Sequence, residues 1–169
     1  MQDFEFVFLS YVIIFFYVSK SGFDFIDSFF NFLINQQMEN NEINTLTHAI
    51  IGCAMEVHRT LGNGFQEKIY QRWLALEFNL LKIKYAWEQE MEIIYKGHSV
   101  GLRRVDFFIE GKVMLEIKAV EKLEEAHKAQ AINYCEAYNI PDGVLINFGT
   151  KSLEFKRVYN NRLVKPTGL

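Results

Sequence analysis

The stretch from Val105 to Val120 restricts the fold of this chain more than any other. Val105 to Ile109 is a strongly β-prone run, Glu110-Gly111 signals a turn, and Val113 to Val120 is a second β run. Within the second run Val113, Leu115 and Ile117 point to one side, and Glu116 and Lys118 point to the other. The length of the loop decides what faces them. A two-residue loop pairs Ile109 with Lys112 and puts Asp106 on the Leu115 face. A three-residue loop, Glu110-Gly111-Lys112, pairs Ile109 with Val113 and sets Asp106 against Glu116, with glycine in the left-handed position. Chemistry at this hairpin requires the odd loop or a bulge.

The flanking segments supply helices. Thr47 to Leu61 predicts a helix capped by Thr47, ending at Gly62-Asn63-Gly64. Phe65 to about Leu81 predicts a second, with Phe65, Ile69, Trp73, Leu76 and Leu80 as its apolar stripe. Strands are expected at Glu90–Tyr95 and His98–Gly101 before the hairpin. A third helix follows over Lys122–Tyr138, and further strands at Val144–Phe148 and Leu153–Tyr159. The order is α-α-β-β-β-α-β-β, an α/β fold with a mixed β-sheet flanked by helices.

Residues 1–37 have a different texture. Ten of the 16 phenylalanines fall there, with four acids (Asp3, Glu5, Asp24, Asp27) and one base, Lys20. The uncharged run from Phe6 to Ser19 is too short for a spanning helix, and the acidic start does not suit a signal peptide. The segment could be a membrane-associating helix, a helix packed on the domain, or an upstream extension preceding a start at Met38. The polar lead Glu39-Asn40-Asn41-Glu42 favours the extension. Residues 38–169 then form the domain, and a membrane partner is not expected. Without the first 37 residues the acids and bases balance at 17 each, so anion binding must come from local clustering. With 169 residues there is room for one ordinary domain. Cys53 and Cys135 are too few and too far apart for a disulfide scaffold or a zinc finger.

Asp106, Glu116 and Lys118 on one face have a chemical use. Carboxylate oxygens are hard ligands suited to Mg²⁺ or Mn²⁺. Such a cation acidifies water and bears charge developing on a phosphoryl group, and an ammonium beside it stabilises the same charge. Taken alone, Asp…Glu-x-Lys reads first as an ion pair on a solvated sheet face, because strings so short recur by chance.

Asp106 and Glu116-x-Lys118 resemble the PD-(D/E)XK nuclease signature, and Gln130-Ala-Ile-Asn-Tyr134 resembles the Q-x-x-x-Y motif of RecB-type members. Upstream, Gly64-Phe-Gln-Glu67-Lys-Ile-Tyr70 matches G-x-x-E-x-x-Y, the string that names a family of small bacterial and archaeal proteins in the same superfamily. The resemblance runs from about Glu42 to Arg162. It includes Glu56-Val-His58, Arg104, Glu116-Ile-Lys-Ala-Val120 and Leu145-Ile-Asn-Phe-Gly149. Gly62-Asn63-Gly64 stands where the family often has Gly-Pro-Gly, and Arg103 adds a base beside Arg104.

The resemblance implies a PD-(D/E)XK, restriction-endonuclease-like core. It implies Asp106, Glu116 and Glu67 as ligands of Mg²⁺ or Mn²⁺, Lys118 as the catalytic lysine, and Gln130 and Tyr134 as residues that hold the lysine region or touch phosphate. Arg104 and Tyr70 fall to substrate binding. The expected activity is cytoplasmic hydrolysis of nucleic-acid phosphodiesters, DNA ahead of RNA. The rival is a non-catalytic module binding nucleic acid or protein on the same fold, for which the neutral domain charge speaks. His48, His58, His98 and His127 lack metal-ligand spacing. Mass spectrometry of the native protein tests the expected start: no peptide should cover Phe6 to Ser19, and an intact one would overturn it.

Overall fold

The computed structural model describes residues 20–163, with side chains from residue 28 onward except that of Met91. The run Phe6 to Ser19 lies outside the described residues. Helix α1 spans Lys20–Leu61 and α2 Glu67–Leu80, followed by strands β1 (Tyr85–Tyr95), β2 (His98–Ile109) and β3 (Val113–Lys118). Helix α3 (Glu125–Ala137), β4 (Asp142–Asn147) and β5 (Glu154–Tyr159) complete the order. The α-α-β-β-β-α-β-β expectation holds, with His98–Gly101 and Val105–Ile109 merged into one strand.

The five strands lie in chain order in one mixed sheet. β3 and β4 are parallel, and every other neighbouring pair is antiparallel. A parallel step needs a crossover, and α3 supplies it. Phe107, Ile109, Val113, Leu115, Ile117, Val144 and Ile146 pack against α1 and α2 through Ile50, Val57, Leu74 and Phe78. Met114, Leu145 and Val158 pack on the other side against Ala131, Tyr134 and Cys135 of α3. The sheet is thus covered on both faces, which is why β4 is buried along its whole length. Tyr159 and Val158 of β5 close the edge beside Asp142 and Gly143.

Two helix expectations are corrected. α1 begins at Lys20, not Thr47: no glycine or proline interrupts residues 23–51, so nothing stops the helix there. Thr47 is buried inside it, with a hydroxyl that has no hydrogen-bond partner, and does not cap. The chain divides into compact units at Glu42/Ile43. In the leading unit, residues 28–42 of α1 are all exposed, Phe29, Phe30 and Phe32 among them.

In α2 the expected stripe is on the wrong side. The buried residues are Tyr70, Gln71, Leu74, Ala75 and Phe78, whereas Phe65, Trp73, Leu76 and Leu80 are exposed. The helix is apolar on both faces, so periodicity by itself cannot choose between them. The choice is made by shape: Tyr70 stacks on Phe148 at 4.3 Å and Phe78 meets Phe107 edge-on at 5.5 Å.

Gly149 ends the β4 region where the backbone leaves no room. A Cβ there would lie 2.3 Å from the Val120 carbonyl oxygen and 2.5 Å from the Val120 nitrogen. Asn147 ties the same two segments, accepting from Val120 N–H at 3.0 Å and donating to its carbonyl at 2.9 Å. Gly149→Ala should therefore destabilise the protein by about 2–4 kcal/mol in urea titration, because the obstructing atoms are backbone. Gly101→Ala, with open space around its Cβ, should stay within about 1 kcal/mol.

Candidate active site

The β2–β3 ladder begins at Ile109↔Val113, so the loop is the three-residue Glu110-Gly111-Lys112. Gly111 takes a left-handed φ of 68° and Glu110, without glycine's freedom, one of 50°. The ladder ends at Phe107↔Leu115, and the next step would set Asp106 against Glu116. At that step the strands part. Asp106 Oδ2 accepts the Ile117 N–H at 2.6 Å, taking the place of a strand partner.

The backbone around Asp106 is irregular. Val105 packs with the α3-side cluster and Phe107 with the α1/α2-side cluster, although residues two apart share a face in a regular strand. β2 therefore rotates about Asp106. On β1 the residue opposite is Glu88, which drops out of the paired register and has a φ of 51°. A left-handed glutamate in a strand is a strained conformation. The rotation brings the Asp106 carboxylate to α2, where Gln71 Nε2 donates to its Oδ1 at 2.5 Å.

Glu116 leans the other way, towards α3. Its Oε1 accepts from Lys118 Nζ at 2.8 Å and from Gln130 Nε2 at 3.1 Å. Gln130 and Tyr134 share a helix face, and the Gln130 amide also donates to the Tyr134 hydroxyl at 2.7 Å. The Arg103 guanidinium lies 5.9 Å from the centre of the Tyr134 ring. Glu67 is the first residue of α2, and its Oε1 accepts the Ala119 N–H at 3.3 Å. The C-terminal end of β3 thus gathers contacts from three carboxylates, one ammonium and two amides.

The electrostatics follow from burial. Desolvation, then the Asp106 charge, raises the Glu116 pKa to about 7. Desolvation also raises Asp106, against the Ile117 N–H bond that lowers it. Burial opposes the Lys118 charge, but the hydrogen bond to Glu116 and the three carboxylates outweigh it and raise that pKa. Lys118 is therefore an ammonium at neutral pH.

The residues fit a hard divalent cation in kind. Glu116 Oε2 is buried without a hydrogen-bond partner, a costly state for a carboxylate oxygen. The donors are all oxygen, as Mg²⁺ and Mn²⁺ prefer. As the side chains stand, protein donors hold all three carboxylates, and among the described residues no three His, Cys, Asp or Glu side chains are grouped to hold an ion.

Tyr70 is corrected to a packing residue. It is fully buried, and its hydroxyl donates to the Gly62 carbonyl at 2.9 Å, holding the turn before α2. Arg104 is exposed and lies 3.7 Å from Glu88. Gln71 was not foreseen, because the assumed α2 stripe turned its face outward; once that face is known to be buried, a glutamine on it needs a partner. His58 Nε2 lies 3.0 Å from the Thr150 carbonyl oxygen, and His127 Nδ1 accepts the Glu124 N–H at the start of α3. Both tie backbone.

The family model described as the PD-(D/E)XK nuclease superfamily matches residues 44–158. The chain belongs to the PD-(D/E)XK nuclease superfamily. The match covers α2, the sheet and α3, all the elements that position Glu67, Asp106, Glu116 and Lys118. No curated protein matches the chain. A solved structure, the crystal structure of SSO0001, is similar over 55% of this chain and 50% of its own length, with 20% identity and a TM-score of 0.46. The chain spans about half the length of that relative, and so loose a likeness adds nothing to the superfamily assignment.

Glu116 makes stability depend on pH in the metal-free protein. Its folded pKa is raised above the unfolded value, so its contribution is full below about pH 4.5 and is lost as pH rises through about 7. Glu116→Gln should abolish this loss. Denaturation in EDTA should show the variant gaining about 2 kcal/mol on the parent between pH 5 and pH 8. Parallel curves for the two proteins would contradict it.

Proposed function

We propose that this chain is a metal-dependent nuclease that hydrolyses nucleic-acid phosphodiesters, with DNA as the first substrate and RNA the second. Superfamily membership supports nuclease-like chemistry. The observation that carries the reading is Glu116: one oxygen is held by Lys118 and Gln130, and the other is buried with no partner. Within the superfamily we favour the narrower G-x-x-E-x-x-Y family, on Gly64, Glu67 and Tyr70. We take residues 38–169 as the working domain and the cytoplasm as its setting. The two buried cysteines are free, as a reducing compartment allows. Among the described residues no helix is long and apolar enough to cross a membrane.

Asp106, Glu116 and Glu67 would hold Mg²⁺ or Mn²⁺. The bound cation would supply Lewis acidity toward the phosphoryl oxygen and make water a better nucleophile at neutral pH. Gln71 bonds one oxygen of Asp106 and Gln130 one oxygen of Glu116, so each carboxylate has an amide beside it that would restrict its orientation. The Lys118 ammonium, kept charged by its carboxylate neighbours, steadies negative charge as it develops on phosphate. Arg103 and Arg104, next to Asp106 on β2, offer further positive charge to the backbone of the substrate.

The balanced charge of residues 38–169 supports a second reading, a non-catalytic binding module. Cleavage assays separate the two. With Mg²⁺ or Mn²⁺ the protein should cut at least one of single-stranded DNA, duplex DNA and RNA, and EDTA should stop it. Lys118→Ala and Glu116→Ala should each lower the rate by about 100-fold or more without unfolding the protein. Absence of metal-dependent cleavage on every substrate would favour the binding module.

A further inference from the structure

The face of α2 that the core leaves unused is itself patterned. Ile69, Trp73, Leu76 and Leu80 follow spacings of four, three and four residues, the repeat of a coiled-coil seam. They lie opposite the buried Leu74 and Phe78, and Trp73, Leu76 and Leu80 are 38%, 56% and 74% exposed. An apolar face of this kind on a two-heptad helix calls for a cover.

The charges beside the seam indicate which cover. At 100° per residue, Arg72 and Glu77 flank the seam on opposite sides, each about 70° from its centre. Among the described residues neither side chain makes an ion pair or hydrogen bond within the chain. They are five residues apart, the separation that brings a residue on one side of a seam against the opposite flank of an identical, parallel helix. In such a pair Arg72 of each copy meets Glu77 of the other, twice by symmetry. An antiparallel pair would instead oppose Arg72 to Arg72 and Glu77 to Glu77.

We propose that α2 of one copy packs in parallel on α2 of a second, burying Ile69, Trp73, Leu76 and Leu80 between them and pairing Arg72 with Glu77. Glu67 and Gln71 of α2 are bonded to Ala119 and Asp106 instead and lie outside the seam, so the pairing does not use them.

Sedimentation of the full-length protein across about 1–100 µM tests this. A dimer is expected, and Leu76→Glu should make it monomeric with an unchanged far-ultraviolet circular-dichroism spectrum, since Leu76 is exposed in the single chain. Arg72→Glu should weaken the dimer about tenfold by placing like charges together, and Arg72→Glu with Glu77→Arg should restore it. A protein that is monomeric throughout would overturn the proposal. So would a dimer indifferent to Leu76→Glu, or one that the double charge exchange fails to rescue. A monomer in which Leu76→Glu speeds hydrogen exchange in residues 1–42 would also overturn it, because the chain's own leading segment would then be the cover.

Discussion

The bond from the Ile117 N–H to Asp106 Oδ2 is the constraint around which the site is arranged. A backbone donor in a sheet needs an acceptor, and here a side chain replaces the strand that has turned away. The replacement fixes where the β2–β3 ladder ends. It also fixes the direction of Asp106, since the carboxylate must reach the main chain of β3. Every other approach to the site follows from this break. α2 comes near enough for Gln71 to take the second oxygen, and Glu88 adopts a left-handed backbone where its partner has rotated away.

Two helices on opposite faces of the sheet can serve one site because β3 ends there. Glu116 reaches α3 and Asp106 reaches α2. Lys118, the last residue of β3, bonds Glu116, and Glu67 meets the end of the strand through the Ala119 N–H. Burial disfavours the charged form of Glu116 and the nearby Asp106 charge disfavours it further, so its pKa is raised.

Most of the fold was legible because its signals are local. The order of elements, the hairpin and the crossover before Val144 all follow from periodicity and turn residues, whereas the length of the hairpin loop was decided by the strand register. What misled is equally specific. α2 carries two apolar stripes, and nothing local says which meets a sheet; the wrong choice hid Gln71 and left Tyr70 open to a substrate role. Thr47 suits a cap by type, but a cap needs an end, and the helix has none there.

By itself the sequence determined which residue types stand at which spacing: Asp106, Glu116 and Lys118 on adjoining strands, Gln130 and Tyr134 one turn apart, and Glu67 at a helix start. Those follow from residue order and the two backbone periods. Only the tertiary structure decided that Asp106 leaves its strand face to bind the β3 backbone, that Gln71 faces it, and that Tyr70 lies against Phe148. Each of these depends on how closely separate elements pack and which donors that packing leaves unpaired, and such distances are not written in the order of residues.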